Sequence, residues 1–345
     1  MKDNKILYIN YILQKGHINF DCIHIDALIR QKVDIRIVVH KKIADSLPFS
    51  KNYYELILPS LLGIESHNPI VNRLLYIVTL LYIKLRISFS NYDKVVLSSM
   101  DEITLGLLPL FKGMYIICHD NGRNIGKGIK GFFLNKLSKN NSFIVFNKEM
   151  SKPFKEKGMN TYIISHGCIK PFAKVYVSSL PIDISNYDVI IYHPSNRPNH
   201  NFIHELEANH SFHLYLKEKN ILLILRDLVA HNNISGNIIY LNQYLSQAQY
   251  HYLFQKSDII LLAYQDNFCC RVSGVSFECV ANRKKALIKD NPSLSYCRDF
   301  YNYDPFFNTI QTLQERIEYL LNHPKACCTA RPESLMPDYT QIIAQ

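Results

Sequence analysis

The chain has 345 residues, 48% of them hydrophobic, with a formal net charge of +10. That length and composition describe a globular protein able to bury two cores, and 12 glycines are too few for long Gly-rich loops. The charge is uneven: residues 1–170 hold 24 Lys+Arg against 13 Asp+Glu, net +11, while residues 171–345 hold 15 against 16, net −1. An anionic partner, whether nucleic acid or a membrane surface, would therefore meet the first half; the plainer alternative is a Lys- and Asn-rich solvated surface. The nine cysteines form no C-x-x-C pair, which argues against zinc and thioredoxin-like sites, and the vicinal pairs Cys269-Cys270 and Cys327-Cys328 read as reduced thiols. The opening MKDNKILYINYILQ lacks an uninterrupted apolar core and a cleavage site, so a cytosolic, reducing setting is expected.

In chain order, Lys5–Ile9 reads as a strand, Asp21–Arg30 as a helix and Asp34–Val39 as a second strand, with Gly16 and His17 in the first loop. This is the opening of a doubly wound α/β sheet. Ile70–Phe89 is apolar but basic at its ends. Its uncharged part, Leu74–Ile83, is shorter than the roughly 20 residues a membrane span needs. It reads either as a core helix on the sheet, the simpler role, or as a helix lying in a membrane interface. Strands follow at Asp93–Ser98 and Met114–Cys118, with a helix at Glu102–Phe111 between them. His119 then falls after a strand's C-terminal end, where open α/β sheets place ligands. Arg123, Lys127 and Lys130, set among Gly122, Gly126, Gly128 and Gly131, read as a mobile basic loop suited to an acceptor phosphate. Its spacing fits neither a dinucleotide fingerprint nor a P-loop. Ser142–Phe146, Lys148–Lys157 and Asn160–Ser165 read as strand, helix and strand, ending in His166-Gly167.

Residues 171–186 read as a linker between a first domain, 1–170, and a second, 187–345. The second opens with the strand Asp188–Tyr192 and a polar loop carrying Arg197. A helix at Phe202–Asn209, strands at Ile221–Leu225 and Asn237–Leu241, and a helix from Tyr244 to Gln255 follow. Asp258–Tyr264 is a buried-strand run, Gln265–Val272 a polar loop, Ser273–Asn282 a helix and Ala286–Ile288 a strand. Arg271 can grip phosphate through two donors, and the helix start at Ser273-Gly274 offers free N–H groups with no side chain in front. Glu278 lies one turn on and leans back toward that mouth, where a carboxylate suits ribose hydroxyls. A capped helix with a surface arginine and glutamate is an equal reading of these residues alone. Thr309–Leu321 is a last good helix, and only the final dozen residues have a disordered character.

The stretch around Glu278 resembles the donor site of GT-B glycosyltransferases, in particular glycosyltransferase family 4. Glu278 matches the second glutamate of that family's E-x7-E pattern, and Cys270 stands where the first acid would be. Arg271-Val272-Ser273-Gly274-Val275 is similar to an R-x-S-G variant in related sugar transferases. The resemblance implies a GT-B fold, with two Rossmann-like domains whose parallel sheets face each other across a cleft and a late helix that crosses back. It implies that Arg271, Ser273, Gly274 and Val275 bind the donor diphosphate with Arg197, and that Glu278 holds the ribose. It sets Tyr244 against the base, although packing is the simpler role for that residue. His119 would face the donor sugar, with Arg271 and Glu278 as the other catalytic groups, and Gly16, His17 and Arg123 would face the acceptor. The implied reaction moves a sugar from a nucleotide sugar to an acceptor hydroxyl, with retention, in cell-surface polysaccharide or glycolipid synthesis. No cofactor or metal is implied, because arginines and a helix start can stabilise the leaving diphosphate. The implied partners are a nucleotide sugar and a glycan or lipid-linked glycan, without nucleic acid, and the charge asymmetry adds an anionic membrane surface. The protein would be cytoplasmic or peripheral on the inner face of the cell membrane. A sugar-nucleotide 2-epimerase of the same fold, which would need paired carboxylates, and a non-catalytic nucleotide-binding relative are the alternatives.

Overall fold

A computed structural model describes residues 4–13, 17–64, 66–177, 180–195, 198–227 and 234–345. The chain forms two compact units, Met1–Gly167 with Leu335–Gln345, and Cys168–Ser334.

The first unit runs β1 (Lys5–Ile9), α1 (Ile18–Arg30), β2 (Asp34–His40), α2 (Lys41–Ala44), β3 (Tyr54–Leu58), α3 (Pro69–Arg86) and β4 (Lys94–Leu97). It continues with α4 (Glu102–Leu107), β5 (Tyr115–Ile117), α5 (Gly128–Ser138), β6 (Ser142–Val145), α6 (Lys148–Lys155) and β7 (Thr161–Ile163). Its strands pair in the order β3-β2-β1-β4-β5-β6-β7, all parallel. Strand runs such as Ile6–Ile9, Val95–Leu97 and Phe143–Val145 are wholly buried, because helices cover both faces of a parallel sheet. Strand order reverses between β1 and β4, and that is the place where an open α/β sheet leaves a crevice at its C-terminal edge.

The second unit repeats the plan with β8 (Val189–His193), α7 (His200–Ala208), α8 (His210–Glu218), β9 (Ile221–Arg226), β10 (Ile234–Ser235) and β11 (Ile238–Leu241). Then come α9 (Gln247–Lys256), β12 (Ile259–Leu262), α10 (Gly274–Ala281), β13 (Lys285–Lys289), β14 (Phe306–Phe307) and α11 (Ile310–Asn322). The order is β10-β11-β9-β8-β12-β13-β14, parallel except for the edge strand β10, and it reverses between β8 and β12. The chain is thus two Rossmann-like α/β units in tandem.

Three expectations from the sequence are corrected. The helix through Leu74–Ile83 is not a buried core helix. Of the 18 residues of α3, only Thr79, Leu80 and Ile83 are buried, because the helix lays a single stripe on the unit. Residues 122–131 are not a loop. They form a 3-10 turn, Asn121–Asn124, and the start of α5, organised by the buried Glu102, which accepts from Asn121 Nδ2 and Asn124 Nδ2, both at 2.7 Å. Lys130, assigned to an acceptor, instead reaches Glu102 at 3.6 Å. The last dozen residues are also ordered. Tyr339 and the short helix α12 (Thr340–Ile343) belong to the first unit, with Tyr339 and Ile342 fully buried and Asn4 Nδ2 donating to Ile343 O at 2.8 Å.

Candidate functional site

In the second unit the loops after β8 and β12 are tied together at the reversal point. Asn199 N donates to Ala263 O at 2.8 Å, and its side chain donates to Tyr264 O at 3.1 Å and to Asp266 Oδ1 at 2.7 Å. The same asparagine caps α7, so one residue fixes both the loop and the helix behind it. Tyr264 then sets the start of α10: its hydroxyl shares a 2.6 Å hydrogen bond with Ser273 Oγ, which also caps Ser276 N. The Ser273 N–H is taken by Tyr296 Oη at 2.9 Å. Ser273 is 3% exposed, so its groups hold the turn, and it positions the helix mouth rather than meeting a ligand through its side chain.

That mouth is open. Gly274 is exposed, and a Cβ built on it would meet nothing within 4 Å. Helix geometry leaves the Gly274 and Val275 N–H groups without intrahelical acceptors, at the positive end of α10. Just before it, Cys270 takes a left-handed φ of +53° and turns the chain so that Arg271 stacks its guanidinium 4.9 Å from the Phe268 ring centre. Phe268 in turn stacks on Tyr264 with centroids 4.4 Å apart. Arg271 Nε is buried and has no hydrogen-bond partner among the described residues.

One turn into α10, Glu278 Oε2 accepts a 2.5 Å hydrogen bond from Tyr250 on α9. Burial raises the Glu278 pKa above the usual carboxylate value, and the Tyr250 bond opposes that rise. Tyr192 of β8 and Arg226, the last residue of β9, complete the cluster. Burial raises the Tyr192 phenol, with the Arg226 charge pulling it down and the Glu278 charge pushing it up. Tyr192 Oη and Arg226 Nε are both buried without a partner among the described residues. Buried polar atoms are nearly always paired, so such a set gathered at a sheet edge makes that edge a candidate ligand site. The Arg226 guanidinium lies over the Tyr244 ring, 5.7 Å from its centre, and Tyr244 is 77% exposed, so the packing role anticipated for that tyrosine is overturned. Sequence reasoning missed Tyr192, Tyr250 and Arg226. The one available signal was a cation closing the apolar run ILLILR beside the strand where the order reverses. Arg197 lies outside the described residues.

The C-terminal edge of the first unit is built from rings. His17 and His119 have ring centres 4.2 Å apart, and Phe20 sits 4.7 Å from His119, 4.0 Å from His24 and 5.1 Å from His166. His119 Nε2 donates to Ser98 O at 2.9 Å, tying the loop after β5 to the end of β4. Burial lowers all four imidazoles: His17 and His166 to about 4, His24 and His119 well below the usual value. They are neutral at pH 7. Beneath them Asp21 accepts from Tyr8, Asn10 and Ser98 at 2.8, 2.7 and 2.5 Å, and burial lifts its pKa to about 6. Arg123 is half exposed and paired with Asp120 at 3.1 Å, outside the ring cluster. Gly16 lies outside the described residues. Among the described residues, no group of three or more His, Cys, Asp or Glu is arranged to hold a metal ion.

No protein-family model matches the chain, and no curated protein sequence matches it. Solved structures do. A UDP-forming α,α-trehalose-phosphate synthase from Burkholderia xenovorans superposes with a TM-score of 0.60 at 9% identity, over 93% of this chain and 92% of that one. WaaG, a glycosyltransferase of lipopolysaccharide biosynthesis, gives 0.55 at 13% identity over 92% and 90%. The UDP-GlcNAc 2-epimerase from Neisseria meningitidis, bound to UDP-GlcNAc, gives 0.54 at 10% identity over 93% and 92%. With two Rossmann-like units in one chain, this is the GT-B fold.

Proposed function

We propose that the protein is a glycosyltransferase of the family 4 kind, which moves a sugar from a nucleotide sugar to an acceptor hydroxyl with retention. The observation that carries this reading is the convergence on one mouth of an open helix start at Gly274, an arginine with an unpartnered donor and a buried carboxylate at Glu278. The glycosyltransferases that share the fold support the same reading. The donor diphosphate lies on the Gly274 and Val275 N–H groups and Arg271, Glu278 takes the ribose hydroxyls, and Tyr244 stacks on the base beside Arg226. The acceptor oxygen bonds to the anomeric carbon as the bond to the diphosphate breaks, and the acceptor's proton leaves with a base or the departing phosphate. Negative charge grows on the diphosphate during that step, where Arg271 and the helix start act on it without a metal. His119, at the edge of the first unit, is neutral and already donates through Nε2, so its Nδ1 acts as an acceptor. Cell-surface polysaccharide or glycolipid synthesis is the pathway class proposed.

The test is product analysis by mass spectrometry with a pool of nucleotide sugars, with and without lipid-linked acceptors. A new glycosidic product supports transfer, whereas a C2-epimerised nucleotide sugar with no acceptor product would replace this reading with the epimerase one. In the transferase, Arg271→Ala should lower turnover by about 10²–10³ while nucleotide affinity changes less. Glu278→Gln should weaken nucleoside diphosphate binding by about tenfold or more. Wild-type behaviour of both variants would move the site elsewhere.

A further inference from the structure

We infer that the outer face of α3 docks on an anionic membrane surface, with the helix lying in the plane of the lipid head groups. Ile70, Val71, Leu74, Val78, Leu81 and Leu85 are between 40% and 84% exposed. At 3.6 residues per turn these six positions fall within an arc of about 100°, directly opposite the buried Thr79, Leu80 and Ile83. Every residue in that arc is apolar along the length of the helix. Further exposed apolar residues lie nearby: Leu61 and Ile64 before α3, Leu107 at the end of α4, which packs on α3, and Ile129 and Phe132 on α5, which packs on α4, all more than half exposed. Exposed apolar surface on this scale marks an interaction site.

The charge around the face selects the occupant. Lys84 and Arg86 flank the apolar arc on its two sides, and Lys127, Lys136 and Lys139 stand exposed on or beside α5. Neither α3 nor α5 contains an acidic residue. A symmetric dimer through this face would set one cationic rim against its own copy and is disfavoured. An anionic bilayer meets both demands, apolar depth under the arc and negative head groups at the rim. No helix among the described residues is long and apolar enough to cross a membrane, so α3 lies on the bilayer rather than through it. This inference does not depend on the proposed chemistry.

The experiment is co-sedimentation of the full chain with phosphatidylcholine vesicles, with and without phosphatidylglycerol, at low and high salt. Binding should require phosphatidylglycerol and fall as salt rises. Leu74→Glu with Leu81→Glu should reduce it by about tenfold or more, and Lys84→Gln with Arg86→Gln by a similar factor at about 1 kcal/mol per cation. The single change Leu85→Glu, at the most exposed position, serves if the double variant melts early. Light scattering on the same proteins reports self-association. The inference is overturned by absent binding to the anionic vesicles, by equal binding to neutral ones, by apolar-arc variants that bind like wild type, or by a dimer that those variants break.

Discussion

The two units share a sheet plan and a reversal point, and each leaves some buried polar atoms without a partner among the described residues, His24 Nε2, Ser99 Oγ, Asn147 Nδ2 and Thr161 Oγ1 among those of the first, but the two edges differ in which groups they gather. In the first, the buried carboxylates are answered from within: Asp21 by Tyr8, Asn10 and Ser98, and Glu102 by Asn121, Asn124 and Lys130. Its edge is a set of neutral rings around Phe20. In the second, Arg226, Arg271 and Tyr192 keep buried donors with no partner among the described residues, around a carboxylate that one phenol holds. A buried donor left unmatched costs about 1–3 kcal/mol, and the proposed donor site is where a ligand would offset that cost.

The sharpest way to separate the units is acid. A histidine whose folded pKa lies below its unfolded value near 6.5 contributes stability that is present above 6.5 and lost as pH falls toward the folded value. His17 and His166, at about 4, each lose of order 3 kcal/mol across that window, and His24 and His119 act with the same sign. Asp21, raised to about 6, acts oppositely and recovers stability as pH falls below 6. With His40, which burial also lowers, the first unit thus sets five destabilising groups against one. The second has His193, at about 4, and His251 against Glu278. Hydrogen exchange should therefore show residues 4–167 losing protection first as pH drops from neutral toward 4. Loss that starts in residues 168–334 would contradict the contrast. A smaller effect is expected from Gly167→Ala, where φ is +83° and a Cβ would lie 2.3 Å from Ile23 and 3.1 Å from Pro337 of the C-terminal segment. Strain and overpacking together should remove about 3 kcal/mol in urea titration and expose the C-terminal segment to protease. An unchanged midpoint would mean that the contact yields at no cost.

The strands were legible because a parallel strand buried on both faces must be an apolar run, and Ile6–Ile9, Val95–Leu97 and Ile259–Leu262 are that. The edge strand β3 was not, since only alternate residues face in, and the two-residue β14 is too short to leave a pattern. Arg271, Gly274 and Glu278 could be read together because one helical turn brings them together. Tyr192, Arg226 and Tyr250 could not, because only sheet order and helix packing bring positions that far apart onto Glu278. The buried face of α3 was equally hidden: its sequence is apolar on almost every side, so packing alone decides which stripe is covered. Ser273 was read as a cap or a ligand donor, and the deciding groups, Tyr264 and Tyr296, lie outside the motif.

The mildest change bears most directly on the proposed donor site. A methyl group on Gly274 would have nothing within 4 Å, unlike one on Gly106 of the first unit, where the Phe133 ring would lie 2.5 Å away. Gly274→Ala therefore introduces no clash in the free protein. At the first position of an eight-residue helix, alanine should leave stability unchanged or raise it by up to about 1 kcal/mol. A diphosphate resting on the Gly274 and Val275 N–H groups needs the space that the methyl takes, so nucleoside diphosphate binding should weaken a few-fold. Thermal melting and calorimetry on one preparation measure both. Raised stability with weakened binding is the signature of a glycine kept for the ligand, whereas unchanged affinity would mean that the phosphates do not approach this turn and that Gly274 serves only the chain's own geometry.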